Sequence, residues 1–219
     1  MKTIRLVSLG VILLLIVTGS ANAQYSLDKR HQIGLRAGMW NQSTGVRTAV
    51  SPGAVVTSVG SSGAMGGVQY GYWFEENLAL NIFAGAMMAD VETAVDYTEV
   101  STETAQITSI LFGLKYYPIK STLAGKARPY LKGSAGMFVG SQTKTEVGYE
   151  IIVESRNETV IGGRLEAGSD FILSRHFLFD VAIGYNLMSE FSEPVGGSSD
   201  YSGPEFSLGF SYLFGKGVQ

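Results

Sequence analysis

Apolar residues stand at every second position in the closing stretch "EFSLGFSYLFGKGVQ", where Phe206, Leu208, Phe210, Tyr212 and Phe214 alternate with Ser207, Gly209, Ser211 and Leu213. A period of two dictates a strand, because successive side chains of a strand point to opposite faces. The pattern recurs in seven earlier segments. The "QIGLRAGMW" segment carries Ile33, Leu35, Ala37 and Met39 on one face, and "GGVQYGYWF" carries Val68, Tyr70, Tyr72 and Phe74. Leu78 to Met88 and Ile110 to Tyr116 continue the series, followed by "YLKGSAGMFVG", residues 159–171 and residues 177–187. Each segment is near the roughly 9–11 residues that a tilted membrane strand needs. The opposite faces hold the charges: Arg36, Lys115, Lys132, Arg164, Glu166, Asp170 and Asp180, among glycines, Gln69, Asn81 and Asn186. No charge falls on the apolar faces.

The amino terminus fixes the compartment. Lys2 and Arg5 precede an apolar run from Leu6 to Val17, and small residues lead through Ala21-Asn22-Ala23 to Gln24. These are the three parts of a secretory signal peptide, expected to span residues 1–23 and to leave 24–219 as one domain. An exported chain without cysteine has no disulfides and no thiolate for metal binding or catalysis. Charged residues are 16% of the chain, below the roughly 25% usual for soluble domains. After the signal peptide no segment approaches the roughly 20 apolar residues of a membrane helix, so membrane residence has to be as strands.

Alternation alone does not say which face looks inward, since a soluble ligand-binding barrel turns its apolar face in. Three further features select the reverse arrangement. First, Glu75-Glu76-Asn77 and the five residues Ile172 to His176 make short connections, whereas those at 41–65, 90–106, 142–158 and 188–204 are long. Short turns on one rim and long loops on the other are the outer-membrane pattern, with 118–128 as an exception. Second, aromatic residues gather near the short-turn rim: Tyr72, Trp73, Phe74, Tyr116, Tyr117, Tyr130, Phe171, Phe177, Phe179, Tyr212 and Phe214, expected to form an interfacial girdle. Tyr185, and Trp40 if the chain turns outward there, would form a thinner girdle at the other rim, while Phe83 and Phe138 fall on the polar faces and would fill the interior. Third, the inward charges balance in sign, as buried charges must if they are to be paired. Eight strands enclose a space just wide enough for side chains to fill, so the expected interior is a plug.

The blocks "GGVQYGYWFEENLALNIFAG", "SILFGLKYYP", "RPYLKGSAG", "GRLEAGSDFILSRHFLFDVAIGYNL" and "FSLGFSYLF" resemble those of the small outer-membrane β-barrel family, the group of the outer membrane protein A, X and W barrels. The resemblance covers the whole mature chain. It implies an all-β, eight-stranded antiparallel up-and-down transmembrane barrel in the outer membrane of a Gram-negative bacterium, inserted by the barrel assembly machinery. That machinery's usual signal ends at a terminal aromatic residue, whereas Phe214 is followed here by "GKGVQ". No peptidoglycan-binding domain is expected after the barrel, so the full outer membrane protein A role is not expected to carry over.

Candidate sites are few. His31 and His176 both fall near the short-turn rim, outside any metal-ligand spacing. Family-like enzymes place a histidine at the outer rim, so a non-enzymatic protein without cofactor or metal is expected. The inward charges suit either a rigid paired network or a gate lining a narrow ion path. Asp90, Glu92, Asp96, Glu99 and Glu103, then Glu190, Glu193 and Asp200, make the long loops acidic, whereas Lys29, Arg30, Lys120, Lys126, Arg128, Arg175 and Lys216 make the short-turn rim basic. Acidic loops suit divalent cations beside lipopolysaccharide phosphates, or a basic partner. A net charge of −3 without a basic aromatic patch excludes nucleic acid. The Gly60–Gly67 run lacks the Lys-Ser/Thr of a phosphate loop. The expected role is structural or surface-interacting through the long loops, in contact with outer-membrane lipid and lipopolysaccharide. The second reading is a narrow channel for ions or small solutes.

Overall fold

A computed structural model describes residues 27–42, 55–58, 62–95, 100–118, 126–147, 151–195 and 198–215, with side chains omitted at the outer ends of some strands. The expected signal peptide, Gly60 and Ser61 at the start of the glycine run, Lys120, Lys216 and the last three residues lie outside that set. So do the side chains of Asp90, Glu92, Asp96, Glu99 and Glu103.

The strands are β1 (His31–Asn41), β2 (Val55–Ser58), β3 (Ser62–Glu75), β4 (Leu78–Val95), β5 (Val100–Tyr116), β6 (Ala127–Val147), β7 (Ile151–Ile172), β8 (Phe177–Met188) and β9 (Gly203–Phe214). Going round, β1 pairs with β3, then β4, β5, β6, β7, β8 and β9, and β9 returns to β1. All pairs are antiparallel, so eight strands close an up-and-down barrel, and short β2 adds to the outer end of β4. Closure removes every sheet edge within the membrane, where an unpaired backbone group has no water to bond.

The alternation directs each face as the sequence indicates. In β9 buried and exposed residues alternate without a break from Gly203 to Phe214. Leu35, Phe112, Leu165, Ile183 and Phe210 look outward, between half and two thirds exposed in the bare chain. The lipid face is therefore apolar, and the interior is where the charges stand.

Strand lengths depart from the expectation of long loops at 90–106 and 142–158. The β4–β5 ladder continues to Val95↔Val100 and the β6–β7 ladder to Val147↔Ile151, so most of both segments is strand. In the described part of this extension Ser155, Arg156 and Asn157 are exposed in succession, and the apolar alternation that marks the lipid-facing part disappears. By contrast β8, β9 and β1 hold 11 or 12 residues, against 21 and 22 in β6 and β7. One side of the barrel thus rises as a wall that the other side lacks.

At the short-turn rim, Glu76 and Asn77 connect β3 to β4. The segment before β1 folds back under the barrel: Lys29 adopts a φ of 55° and its amide donates to the Trp73 carbonyl, while the Trp73 amide donates to the Arg30 carbonyl. That turn carries Leu27, fully buried, into the barrel mouth.

Candidate functional site

The interior is filled in three layers. In the middle, Arg36 of β1 pairs with Glu166 of β7 and with Asp180 of β8, the latter at 3.1 Å. Lys132 of β6 pairs with the same Glu166, and Lys115 of β5 reaches both Asp170 oxygens at 2.7 and 2.9 Å. Arg164 of β7 meets Glu205 of β9 at 3.2 Å and donates to Asn186 at 2.8 Å. Each side chain in these pairs is at most 4% exposed. Among the described residues four cations thus face four carboxylates in the layer. Breaking one such pair leaves an uncompensated buried charge and costs about 3–5 kcal/mol.

Seven of these eight charges are expected from the sequence, and Glu205 is the one missed. Its parity with Ser207, Gly209 and Ser211 is the available signal, since all four point inward. Asn186 donates to Glu205 at 2.7 Å, and Gln69 donates to Ser211 at 3.1 Å, so neutral polar groups complete the layer. Gly209 is required by this packing: a Cβ there would collide with Asp180 Oδ1.

The layer nearer the short-turn rim is aromatic, and it corrects the girdle. Trp73, Tyr117 and Tyr130, all expected at the lipid interface, are buried in a cluster with Leu27, Ile172, Leu178 and Leu213. Both tyrosines serve the charges above them. The Tyr117 hydroxyl donates to Asp170 at 2.6 Å and the Tyr130 hydroxyl to Asp180 at 2.9 Å, while Lys115 Nζ stands 3.7 Å from the Tyr130 ring centroid. A hydroxyl that satisfies a buried carboxylate is worth more inside than at the interface. Tyr72, Phe74, Tyr116, Phe171, Phe177, Phe179, Tyr212 and Phe214 stand on the outer face near this rim. Several are in ring contact, as with Phe177 on Phe210 and Tyr212 on Phe214.

The layer nearer the long-loop rim is apolar. Met65, Phe83, Met87, Ile107, Leu111 and Phe138 fill it from the wall, and the β8–β9 connection covers it with Phe191, Val195 and Tyr201. Trp40, a girdle residue only if the chain turned outward, is buried here against the Tyr201 ring. Tyr185 remains on the outer face.

The histidines stay at the short-turn rim. His31 stacks on Phe214 and shares a hydrogen bond of 2.7 Å with the Tyr70 hydroxyl; His176 stacks on Tyr212. Among the described residues no group of three or more His, Asp or Glu is placed to hold a metal ion. Arg30 and Arg128, read from sequence as basic residues of the rim, are buried there and bonded to carbonyls: Arg30 to that of Arg175 and Arg128 to that of Glu76.

Above the membrane, β7 passes its last pair with β8 at Gly162↔Met188 and continues to Ile151. The β8–β9 connection leans on the lower part of this edge. The Ser189 amide donates to the Ile161 carbonyl, and the Ser192 and Glu193 amides donate to the Glu158 carboxylate at 2.7 and 3.2 Å. These amides hold the exposed Glu158 carboxyl below the usual carboxylate range. Glu193 pairs with Arg156 from β7, so the acidic connection does have a basic neighbour. A cleft of about 520 Å³ opens there, lined by Gln142, Arg156, Asn157, Glu158, Ser192, Glu193, Pro194 and Val195.

A closed antiparallel barrel with an apolar outer band, an aromatic girdle and a polar interior defines a transmembrane β-barrel. The chain belongs to the outer membrane protein beta-barrel domain family, whose model matches residues 10–214. Its place is the bacterial outer membrane. Solved structures of similar fold include OprG from Pseudomonas aeruginosa, with TM-score 0.52, 17% identity, 89% of this chain and 100% of that one covered. Ail of Yersinia pestis in complex with the heparin analogue sucrose octasulfate aligns with TM-score 0.51 and 14% identity over 85% of this chain and 99% of that one. Neisserial surface protein A gives 0.50 and 14% over 84% and 97%. Among the curated proteins compared, none matches the sequence.

Proposed function

We propose that this protein is a non-enzymatic, non-conducting outer-membrane anchor whose work is done by the sheet it raises above the membrane. The observation that carries the reading is the pair of features on one barrel: three filled layers inside, and an edge of β7 that outruns its neighbour outside. A filled interior offers a substrate no access to Glu166 or Asp170, which argues against acid–base chemistry at those carboxylates. An exposed strand edge offers backbone donors and acceptors to an extended partner segment, and an adjoining cleft takes its side chains. The cleft beside Asn157 and Glu158 stands where such side chains would project. Lipopolysaccharide would surround the wall at the outer leaflet, and the barrel assembly machinery would insert the chain.

The test places a photo-crosslinking residue at Asn157 of β7 in intact cells, with another at Leu165 on the lipid face as control. Discrete protein adducts from Asn157, lost when Ser155→Pro removes an amide from the edge, support the reading. Adducts absent from Asn157, or undiminished by Ser155→Pro, overturn it.

A further inference from the structure

One part of the short-turn rim carries an excess of basic groups. The β7–β8 turn presents Arg175 and His176, both exposed, and beside it the chain entering β1 presents Lys29, also exposed, next to the partly buried Asp28. The two segments are fastened together: Arg30 Nη2 donates to the Arg175 carbonyl at 2.8 Å, and the Leu213 amide of β9 donates to the His176 carbonyl at 2.7 Å. Gly215, at a φ of 93°, follows β9 past the same spot, close to the Lys29 carbonyl and the His31 ring.

Two cations are thereby held together. Burial and the neighbouring Arg175 guanidinium both lower the pKa of Arg30. Among the described residues neither arginine makes an ion pair, and the buried Arg30 Nε has no hydrogen-bond partner. The charges of the middle layer are matched one for one, so a surplus of positive charge at this rim stands out. Its height is set by the aromatic girdle. His176 stacks on Tyr212, and Phe177 follows it directly at the foot of β8, so the basic group sits at the edge of the lipid-facing band. That is the level of lipid phosphates on the side of the membrane where the turns are short, the periplasmic side.

We propose that the exposed Lys29, Arg175 and His176, with the buried Arg30 guanidinium beneath them, form a site for the phosphate headgroup of an anionic phospholipid in the periplasmic leaflet. The acyl chains of that lipid lie along Phe177, Tyr212 and Phe214. Charge complementarity selects the headgroup, and the adjoining aromatic face selects a lipid over a free anion. The site would fix the height of the barrel in the bilayer on the side where its strands are shortest.

The experiment refolds the protein into nanodiscs of equal parts phosphatidylcholine and phosphatidylglycerol and counts co-released lipids by native mass spectrometry. The wild type is expected to retain phosphatidylglycerol preferentially. Lys29→Gln with Arg175→Gln should lower that preference roughly fivefold per charge removed, whereas Lys29→Arg with Arg175→Lys should keep it. Raising the salt concentration on the wild type gives a reading independent of how any variant folds, and the preference should fall as the charges are screened. Equal retention of the two lipids by the wild type, a preference that survives neutralisation, or one indifferent to salt would each overturn the proposal.

Discussion

Arg36 on β1 reaches past β9 to place Nη2 3.1 Å from Asp180 Oδ2 on β8, while its Nη1 meets Glu166 on β7. One guanidinium therefore ties together carboxylates from two strands, and a third strand contributes Tyr130, whose hydroxyl bonds the same Asp180 oxygen. The planar fork of arginine suits this double engagement in a way a lysine would not.

Arg36→Met should destabilise the barrel by about 3–5 kcal/mol, because Asp180 loses its ion-pair partner and Glu166 loses one of its two. Urea titration of folding in vesicles, followed by gel mobility with and without heating, measures this. Adding Glu166→Gln and Asp180→Asn to Arg36→Met should recover part of the loss. Wild-type stability in the single variant would show that the layer contributes nothing net.

The chain holds two tryptophans, and both point inward: Trp73 is fully buried in the aromatic layer and Trp40 is 2% exposed under the loop-covered rim. Refolded into vesicles of brominated phospholipid, the protein should therefore keep most of its tryptophan fluorescence. Strong quenching would return Trp73 to the lipid interface.

Much of this fold is legible in the sequence, and the misses share physical causes. Alternation in 203–214 and 177–188 reads directly as buried and exposed faces, because lipid demands apolar residues on one side and the narrow interior tolerates charge on the other. The inward direction of Trp73 and Tyr130 is legible too: Trp73 shares parity with Gln69 and Gly71, and Tyr130 with Lys132, all directed inward. The expectation of an aromatic girdle displaces that simpler rule. Leu27, Phe191, Val195 and Tyr201, which close the two mouths, lie outside the strands and carry no period to read. The extension of β7 leaves no alternation to read at Ser155 to Asn157, because successive side chains there are all exposed.

Phe210 faces outward in the middle of β9, paired with Leu35 on one side and Phe179 on the other. Phe210→Arg puts a charge against the hydrocarbon and should cost roughly 2–4 kcal/mol near the midplane. The amount of folded protein in the membrane fraction should fall. Normal membrane levels would contradict the lipid-facing assignment.

The β8–β9 connection should loosen in acid. Bonds from the Ser192 and Glu193 amides lower the Glu158 pKa, so the stabilisation they give is present above the ordinary glutamate range and is lost as pH falls through the depressed value. Hydrogen exchange at those two amides should quicken on acidification beyond the intrinsic pH trend. Glu158→Gln should show fast exchange at neutral pH and little further change. Exchange that is equally slow in both proteins would remove Glu158 as the fastening point.

The central claim is that the interior is shut, with charges paired in the middle and side chains filling both mouths. Single-channel recording of the refolded protein in planar bilayers tests it most directly, with insertion confirmed by heat-modifiable mobility of the same sample. The account expects a flat baseline at moderate voltage. Discrete, reproducible current steps that change with Arg36→Met would contradict it and make the barrel a narrow channel.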